Sequence, residues 1–208
     1  MSLFVTFEGI EGSGKSTHGR LFAEVARARG RAVLETHEPG DTVVGRALRQ
    51  VLLDPANETL TPLTELLLYC ADRSQHVAEC IRPALAAGRL VLCDRFSDST
   101  IAYQGYGRGL DLALVRTLDA SARDGLTPSL TLLFDCPAAE GLERARHRSG
   151  SMDRLESAPL AFHERVRDGF LRLADETPER HVVIDSRAEI ATVQAQVAAA
   201  IEHRLEAP

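Results

Sequence analysis

Five short apolar runs punctuate the chain: LFVTF at Leu3–Phe7, AVLE at Ala32–Glu35, RLVLC at Arg89–Cys93, LTLLF at Leu130–Phe134 and HVVI at His181–Ile184. They are continuous rather than alternating, the pattern of strands buried on both faces of a parallel sheet. Between them, apolar positions recur at helical spacing over Lys15–Arg29, Val43–Leu53, Thr61–Ala87, Leu112–Asp124, Pro137–His147, Pro159–Glu176 and Ala188–Leu205. Gly30, Gly88 and the Thr127–Pro128 break punctuate these segments, and Pro137 reads as a first-turn helix proline. Strand–helix alternation throughout predicts an α/β fold, a doubly wound five-stranded parallel sheet flanked by helices. No linker or repeat divides residues 1–208, so one domain is expected. Ligands of such a sheet bind at the carboxyl ends of its strands. The polar motifs lie just after the apolar runs, so they are expected to meet in one crevice.

Composition narrows the function classes only a little. The chain is 44% hydrophobic and 26% charged, ordinary for a soluble protein. No apolar run approaches membrane-spanning length, and the N-terminus has no leader-like pattern. A net charge of −6 argues against a nucleic-acid partner. Cys70, Cys80, Cys93 and Cys136 form no C-x-x-C pair and sit in apolar runs, which reads as buried free thiols in a reducing cytoplasm. The seven histidines are scattered without ligand spacing, so no zinc site is expected.

Basic residues are more informative. Of 24, the only lysine is Lys15, and the rest are arginine. Lys15 lies in EGIEGSGKST, where Gly9, Gly14, Lys15 and Ser16 fit G-x-x-x-x-G-K-[ST] between a strand pattern and a helix pattern. An arginine-rich chain thus keeps lysine at the one position where a slim cation must enter a closed backbone loop. Gly9, Ile10, Glu11, Gly12, Ser13 and Gly14 would present backbone N–H groups to a nucleoside triphosphate. Lys15 would reach its β- and γ-phosphates, the Ser16 hydroxyl would ligate Mg²⁺, and the Thr17 N–H would lie near the α-phosphate. Glu11 places a carboxylate inside this anion-binding loop.

Two further motifs follow the third and fourth runs. In DRFSDSTIAYQG, Asp94 ends a strand, placed to act near Mg²⁺ directly or through water, with Arg95 beside it. A buried Asp–Arg pair is the plain alternative, but it leaves Ser97, Asp98, Ser99, Thr100, Tyr103 and Gln104 unexplained. Such a polar cluster can read a ring's hydrogen-bonding edge. In RARHRSGSMDR, Arg144, Arg146, Arg148 and Arg154 surround a Ser-Gly-Ser break. They form either a solvated basic helix end or a mobile lid, about residues 144–156, closing over a transferring phosphoryl group.

The glycine loop with its acidic third x position, EPG-x-T, A-D-R, D-R-x-x-x-S-x-x-A-Y-Q-G and the R-A-R…D-R segment occur in this order. Together they resemble bacterial thymidylate kinase over nearly the whole chain, and the D-R…Y-Q-G block is the most specific part. The resemblance implies the fold of the P-loop nucleotide kinases and Mg²⁺-dependent transfer from ATP to dTMP in dTTP biosynthesis. Kinase action on another nucleoside monophosphate or a deoxynucleoside is the alternative. It also implies a homodimer built from packed helices.

Residue by residue, the resemblance implies that Arg95 holds the acceptor phosphate. Tyr69 stacks on thymine while Arg73, on the same helix face, meets its carbonyl. Ser99, Thr100 and Gln104 surround the base, Tyr103 lies beneath the deoxyribose, and Pro39 belongs to the acceptor loop. A core aromatic at Tyr69 and a salt bridge from Arg73 to Glu65 or Asp72 are the plain alternatives. Some members of the family carry a catalytic arginine in the glycine loop. Here that position is Gly12, which leaves the role to Arg146 and Arg148, with Arg144 stacking on adenine. Glu11 is expected to meet the acceptor's 3′-hydroxyl, and Glu8 to make a structural hydrogen bond. Two positions depart from the family's R-E-P-G-G-T: His37 removes a cation, and Asp41 adds a charge near the expected acceptor phosphate.

Overall fold

A computed structural model describes residues 2–149 and 152–206, apart from the side chains of Arg148 and Ser149. All five apolar runs are strands: β1 Leu3–Glu8, β2 Val33–His37, β3 Leu90–Asp94, β4 Leu130–Asp135 and β5 His181–Asp185. They form one parallel sheet in the order β2-β3-β1-β4-β5. The reversal of winding lies beside β1, so the loop after β1 opens into the crevice between diverging connections.

Helices cover both faces. Leu3, Val5 and Phe7 of β1 pack with Phe22 and Ala26 of α1 (Lys15–Ala28) and with Val193, Val197 and Ile201 of α9 (Ile190–Glu206). On the opposite face, Phe4, Val91 and Cys93 meet Val77, Ile81 and Ala84. These come from one long helical stretch: α3 (Pro62–His76), a wider π-helical segment Val77–Ile81, and α4 (Arg82–Ala86). Phe162, Val166, Phe170 and Ala174 of α8 (Leu160–Glu176), spaced by four, complete this face beside Leu133 and Tyr103. The alternation of β1 side chains between two buried layers is why its sequence is apolar without a polar beat.

Helix starts follow their caps. The Thr42 hydroxyl accepts the Gly45 N–H at the head of α2 (Val43–Leu53), and Thr61 accepts the Thr64 N–H ahead of Pro62. Asp111 does the same for Leu114 at the head of α6 (Leu112–Ala122). The start of α1 differs: Gly14, at φ 89, supplies no side-chain cap, so its first N–H groups stay available to an anion. One element was not expected from the sequence. The polar block after β3 is helical, as α5 (Ser97–Thr100) running into a π-helical segment Ile101–Gly107. Helix α7 spans Ala138–Ser149.

Candidate active site

The glycine loop bends where β1 ends. Gly9, Gly12 and Gly14 have φ of 139°, 69° and 89°. At Gly12 a side chain would also collide, since a Cβ there would stand 1.9 Å from the Gly141 carbonyl of α7. Helix α7 therefore closes off the outward side of the loop, which is the physical reason an arginine cannot occupy position 12 here. Lys15 is buried, and its Nζ donates to the Ile10 carbonyl at 3.0 Å, curling back under the loop. Thr17 is exposed on the first turn of α1.

At the carboxyl end of β3, the Ser16 hydroxyl donates to Asp94 Oδ2, while Asp94 Oδ1 is buried with no hydrogen-bond partner among the described residues. A hydroxyl and an orphaned carboxylate oxygen, side by side beneath the loop, are the hard oxygen donors that suit Mg²⁺.

The acceptor-side residues named from sequence, Glu11, Pro39, Tyr69, Arg73, Arg95, Ser99, Thr100, Tyr103 and Gln104, all line one cavity of about 220 Å³ with Lys15, Ser16 and Asp94. Arg95 has a left-handed backbone, φ 69, with its N–H bonded to the Phe7 carbonyl. A non-glycine residue in that region stores strain, commonly at functional positions. Its guanidinium donates to Gly9 O at 3.0 Å, Ser99 Oγ at 3.1 Å and Glu11 Oε1 at 3.0 Å, and lies 5.0 Å from the Tyr103 ring centre. Glu11 Oε1 also accepts from the Tyr103 hydroxyl at 2.5 Å. Burial would raise the Glu11 carboxyl, but His163, Arg95, Lys15 and Tyr103 together hold it well below the usual range. The carboxylate in the anion loop thus faces away from the loop's N–H groups and across the crevice. His163 Nδ1, buried on α8, stands 3.3 Å from Glu11 Oε2. Sequence reading missed it, because His163 sits within an apolar helical stripe and has no local signature.

Glu8 performs the structural role expected of it. Its oxygens accept the Phe96 N–H at 2.8 Å and the Ser99 hydroxyl at 2.6 Å, tying the block after β3 to β1. Burial pushes its carboxyl up. Ser97 and Asp98, read as ring-edge candidates, turn elsewhere. Ser97 donates to Asp119, and Asp98 pairs with Arg180 at 2.8 Å and His181 at 2.9 Å. Helical geometry explains the split, since it aims Ser99, Thr100, Tyr103 and Gln104 at the cavity and their neighbours away from it.

Arg73 is buried and salt-bridged, but to neither Glu65 nor Asp72. Nε and Nη2 hold Glu38 at 2.9 and 2.7 Å, and Nη1 reaches Thr100 at 2.8 Å and Asp119 at 2.7 Å. These contacts use four of the five guanidinium hydrogens, leaving one Nη2 N–H for a ligand's oxygen. Glu38 begins the Glu38–Pro39 loop, whose peptide is cis, and its role was missing from the sequence reading. Tyr69 is half-buried on the same cavity wall, one turn before Arg73.

Glu65 is instead the hub for a different set. It is fully buried, accepts from Gln104 Nε2 at 2.8 Å and Arg108 at 3.1 Å, and forms an ion pair with Arg154 at 2.6 Å. The Gln104 amide nitrogen is therefore committed to Glu65, which leaves its oxygen for a ligand. Arg154, counted with the lid from sequence, also donates to the Leu52 carbonyl at 2.8 Å and is 8% exposed. The segment from Asp153 onward is anchored in this structure, and Leu155 is buried.

Arg144 and Arg146 are exposed on α7 and do not line the cavity. Arg144 Nη1 donates to the Ser186 carbonyl at 3.2 Å, just beyond β5. The Arg148 side chain and residues 150–151 lie outside the described part of the chain. Asp41, expected near the acceptor phosphate, does not line the cavity. Its carboxylate accepts from the Thr36 hydroxyl. His37 does line the cavity and is partly exposed.

Comparison with known proteins agrees with this arrangement. The family model described as "Thymidylate kinase" matches residues 7–197. A thymidylate kinase of Trichlorobacter lovleyi is 50% identical over 99% of this chain and 100% of its own length. One from Deinococcus radiodurans is 52% identical, covering 97% of each chain. The solved thymidylate kinase of Ehrlichia chaffeensis superposes with a TM-score of 0.78 at 36% identity, covering 96% of this chain and 98% of that one. The chain belongs to the thymidylate kinase family, ATP-dependent phosphotransferases.

Proposed function

We propose that this chain transfers the γ-phosphoryl group of ATP to dTMP, giving dTDP and ADP, in dTTP biosynthesis. The observation that carries this reading is the facing of two half-sites across one cavity. Lys15 and the capless α1 terminus lie on one side, and Arg95, Glu11 and Tyr103 on the other. A phosphate oxygen of the acceptor attacks the γ-phosphorus, and the bond to the β–γ bridging oxygen breaks. The acceptor oxygen is already anionic at neutral pH, so no general base is required. Mg²⁺ held by Ser16 and Asp94 would neutralise charge on the β- and γ-phosphates.

Each residue then has a defined task. Lys15 and the loop N–H groups position the triphosphate. The Arg95 guanidinium, already oriented by Glu11 and Ser99, takes the acceptor phosphate. Tyr69 stacks on thymine, the free Arg73 N–H and the Gln104 and Thr100 oxygens meet its edge, and Pro39 shapes the loop. Tyr103 under the sugar disfavours a 2′-hydroxyl, and Glu11 receives the 3′-hydroxyl. Arg144 stacks on adenine.

The same reading covers the assembly and setting. Exposed Val44 and Val51 on α2 and Leu63 and Leu67 on α3 lie on two helices packed side by side, which suits a homodimer face. No helix of the described residues is long and apolar enough to cross a membrane. With four free cysteines, the cytoplasm is the proposed location. The whole chain, residues 1–208, acts as one domain with a lid near 144–156.

A coupled ADP-release assay across thymidylate, uridylate, cytidylate, adenylate and guanylate tests the substrate. Thymidylate should have the highest kcat/KM, and another best acceptor would overturn the reading. The lid has its own test. Arg146 stands outside the cavity, so it can act only after closure, in the transition state. Arg146→Ala should lower kcat about 100-fold with little change in KM for dTMP, and Arg148→Ala likewise. A change confined to KM would remove both from the chemistry.

A further inference from the structure

We infer that this chain carries a second metal site, for a borderline-soft divalent cation of the zinc class, formed by Asp41, His76 and Cys80. The ligating atoms of these three residues lie within 4.8 Å of one another. The site stands on the β2 side of the cavity, apart from the Ser16–Asp94 pair. His37 lies beside its Asp41.

Hydrogen-bond bookkeeping supports the assignment. His76 is fully buried, and its Nδ1 is 2.9 Å from Glu38 Oε1. Arg73 Nε and Nη2 pair with Glu38 Oε2 at 2.9 and 2.7 Å, so Glu38 is held as a carboxylate and only accepts. The imidazole proton is therefore on Nδ1, and the Nε2 lone pair faces the cluster. A carboxylate on the remote nitrogen is the usual outer partner of a metal-bound histidine. Thr36 Oγ1 stands between Nε2, at 2.5 Å, and Asp41 Oδ2. One hydroxyl has one proton, and it cannot satisfy both acceptors. The pocket thus has a surplus of lone pairs that either a proton or a cation can fill. The half-buried Cys80 sulfur decides between them. It adds nothing to a protonated imidazole, but with nitrogen and carboxylate donors it completes the set that zinc prefers.

Charge balances as well. A thiolate and a carboxylate together neutralise a dication. Coordination therefore proceeds as M²⁺ + R–SH → [M–SR]⁺ + H⁺, with the proton released to solvent. His76 is fixed, whereas Asp41 and Cys80 are only half-buried and can move the short distance that closes the site. His37, with Nδ1 3.9 Å from Asp41 Oδ1, lies outside the three-residue cluster, so water would fill the fourth position. The sequence hides this site because Asp41 lies 35 residues from His76 (76 − 41), and the cluster forms only where the β2–α2 loop meets the end of α3.

Co²⁺ titration of the chelator-treated full chain, followed by absorption spectroscopy, tests the inference. One equivalent should produce a thiolate-to-cobalt charge-transfer band and the intense visible bands of a four-coordinate ion, both removed by adding Zn²⁺. Zn²⁺ should also raise Tm. Cys80→Ser should abolish the charge-transfer band while keeping dTMP turnover, which shows that it folds. Asp41→Gly should lose the four-coordinate spectrum. A six-coordinate, weakly absorbing cobalt spectrum, or a thiolate band that survives Cys80→Ser, would overturn the assignment.

Discussion

Lys15→Arg is expected to lower kcat/KM about 1,000-fold although it preserves the charge. The Lys15 ammonium lies under a loop whose curvature is set by Gly9, Gly12 and Gly14, with Nζ 3.0 Å from Ile10 O and only 7% of the residue exposed. A planar guanidinium with five donors finds one backbone acceptor there and no room for the rest. It either remains outside, away from the β- and γ-phosphates, or forces the loop open against α7. Loss of a preorganised donor to developing phosphate charge accounts for about 2–3 orders of magnitude, and distortion of the remaining N–H groups adds to it.

Titration offers a second reading of the same residue. Burial, with Arg95 nearby, lowers the Lys15 pKa from 10.5 to about 8. A lysine whose folded-state value lies below its unfolded one costs stability while charged, and that cost is relieved as pH rises from about 8 toward 10.5. Triphosphate binding needs the charged form, so it weakens in the same window. The dissociation constant of a non-hydrolysable ATP analogue should be flat below about pH 7 and should rise about tenfold per pH unit above 8. Lys15→Arg should show weak binding without this inflection. Near-normal turnover by the arginine variant would refute the steric argument.

How far the sequence discloses the molecule depends on the range of the interaction. The three central strands, β1, β3 and β4, are legible because they are buried on both faces, which demands a continuous apolar run; the edge strands β2 and β5 are only partly covered, and their runs are shorter and more polar. The glycine loop is legible because φ above zero and a close Gly141 backbone impose glycine at fixed spacing. The helix at Ser97–Gly107 is not, since its polar residues are satisfied by partners far along the chain: Glu8, Asp119, Arg180 and Glu65. The same holds for Arg73, whose carboxylates Glu38 and Asp119 lie 35 and 46 positions away. Arg154 reads as a lid residue from its arginine-rich neighbourhood, yet a buried Glu65 captures it. Local pattern reports burial and backbone conformation; which charge meets which is decided by how the elements pack.

Arg95→Ala is expected to reduce kcat/KM for dTMP about 1,000-fold while leaving ATP binding nearly unchanged. The strained left-handed backbone at Arg95 is held by the Phe7 carbonyl. It aims the guanidinium at Gly9 O, Ser99 and Glu11 rather than outward. Truncation removes the proposed phosphate contact and also strands Glu11, an ionised carboxylate left with Tyr103 and His163. Breaking a buried pair by removing one partner costs about 3–5 kcal/mol, chiefly through the charge left behind. That part of the loss should disappear if the stranded charge is removed too. Glu11→Ala alone should weaken dTMP use far more than ATP binding, since its carboxylate faces the acceptor side. Arg95→Ala combined with Glu11→Ala should be no worse than Arg95→Ala by itself, a coupling of about 1–3 kcal/mol between neighbours. Measured kcat/KM values for the four proteins close the cycle. Strictly additive losses would show that Arg95 and Glu11 act on dTMP independently, and their shared hydrogen bond would then have no part in preparing the acceptor site.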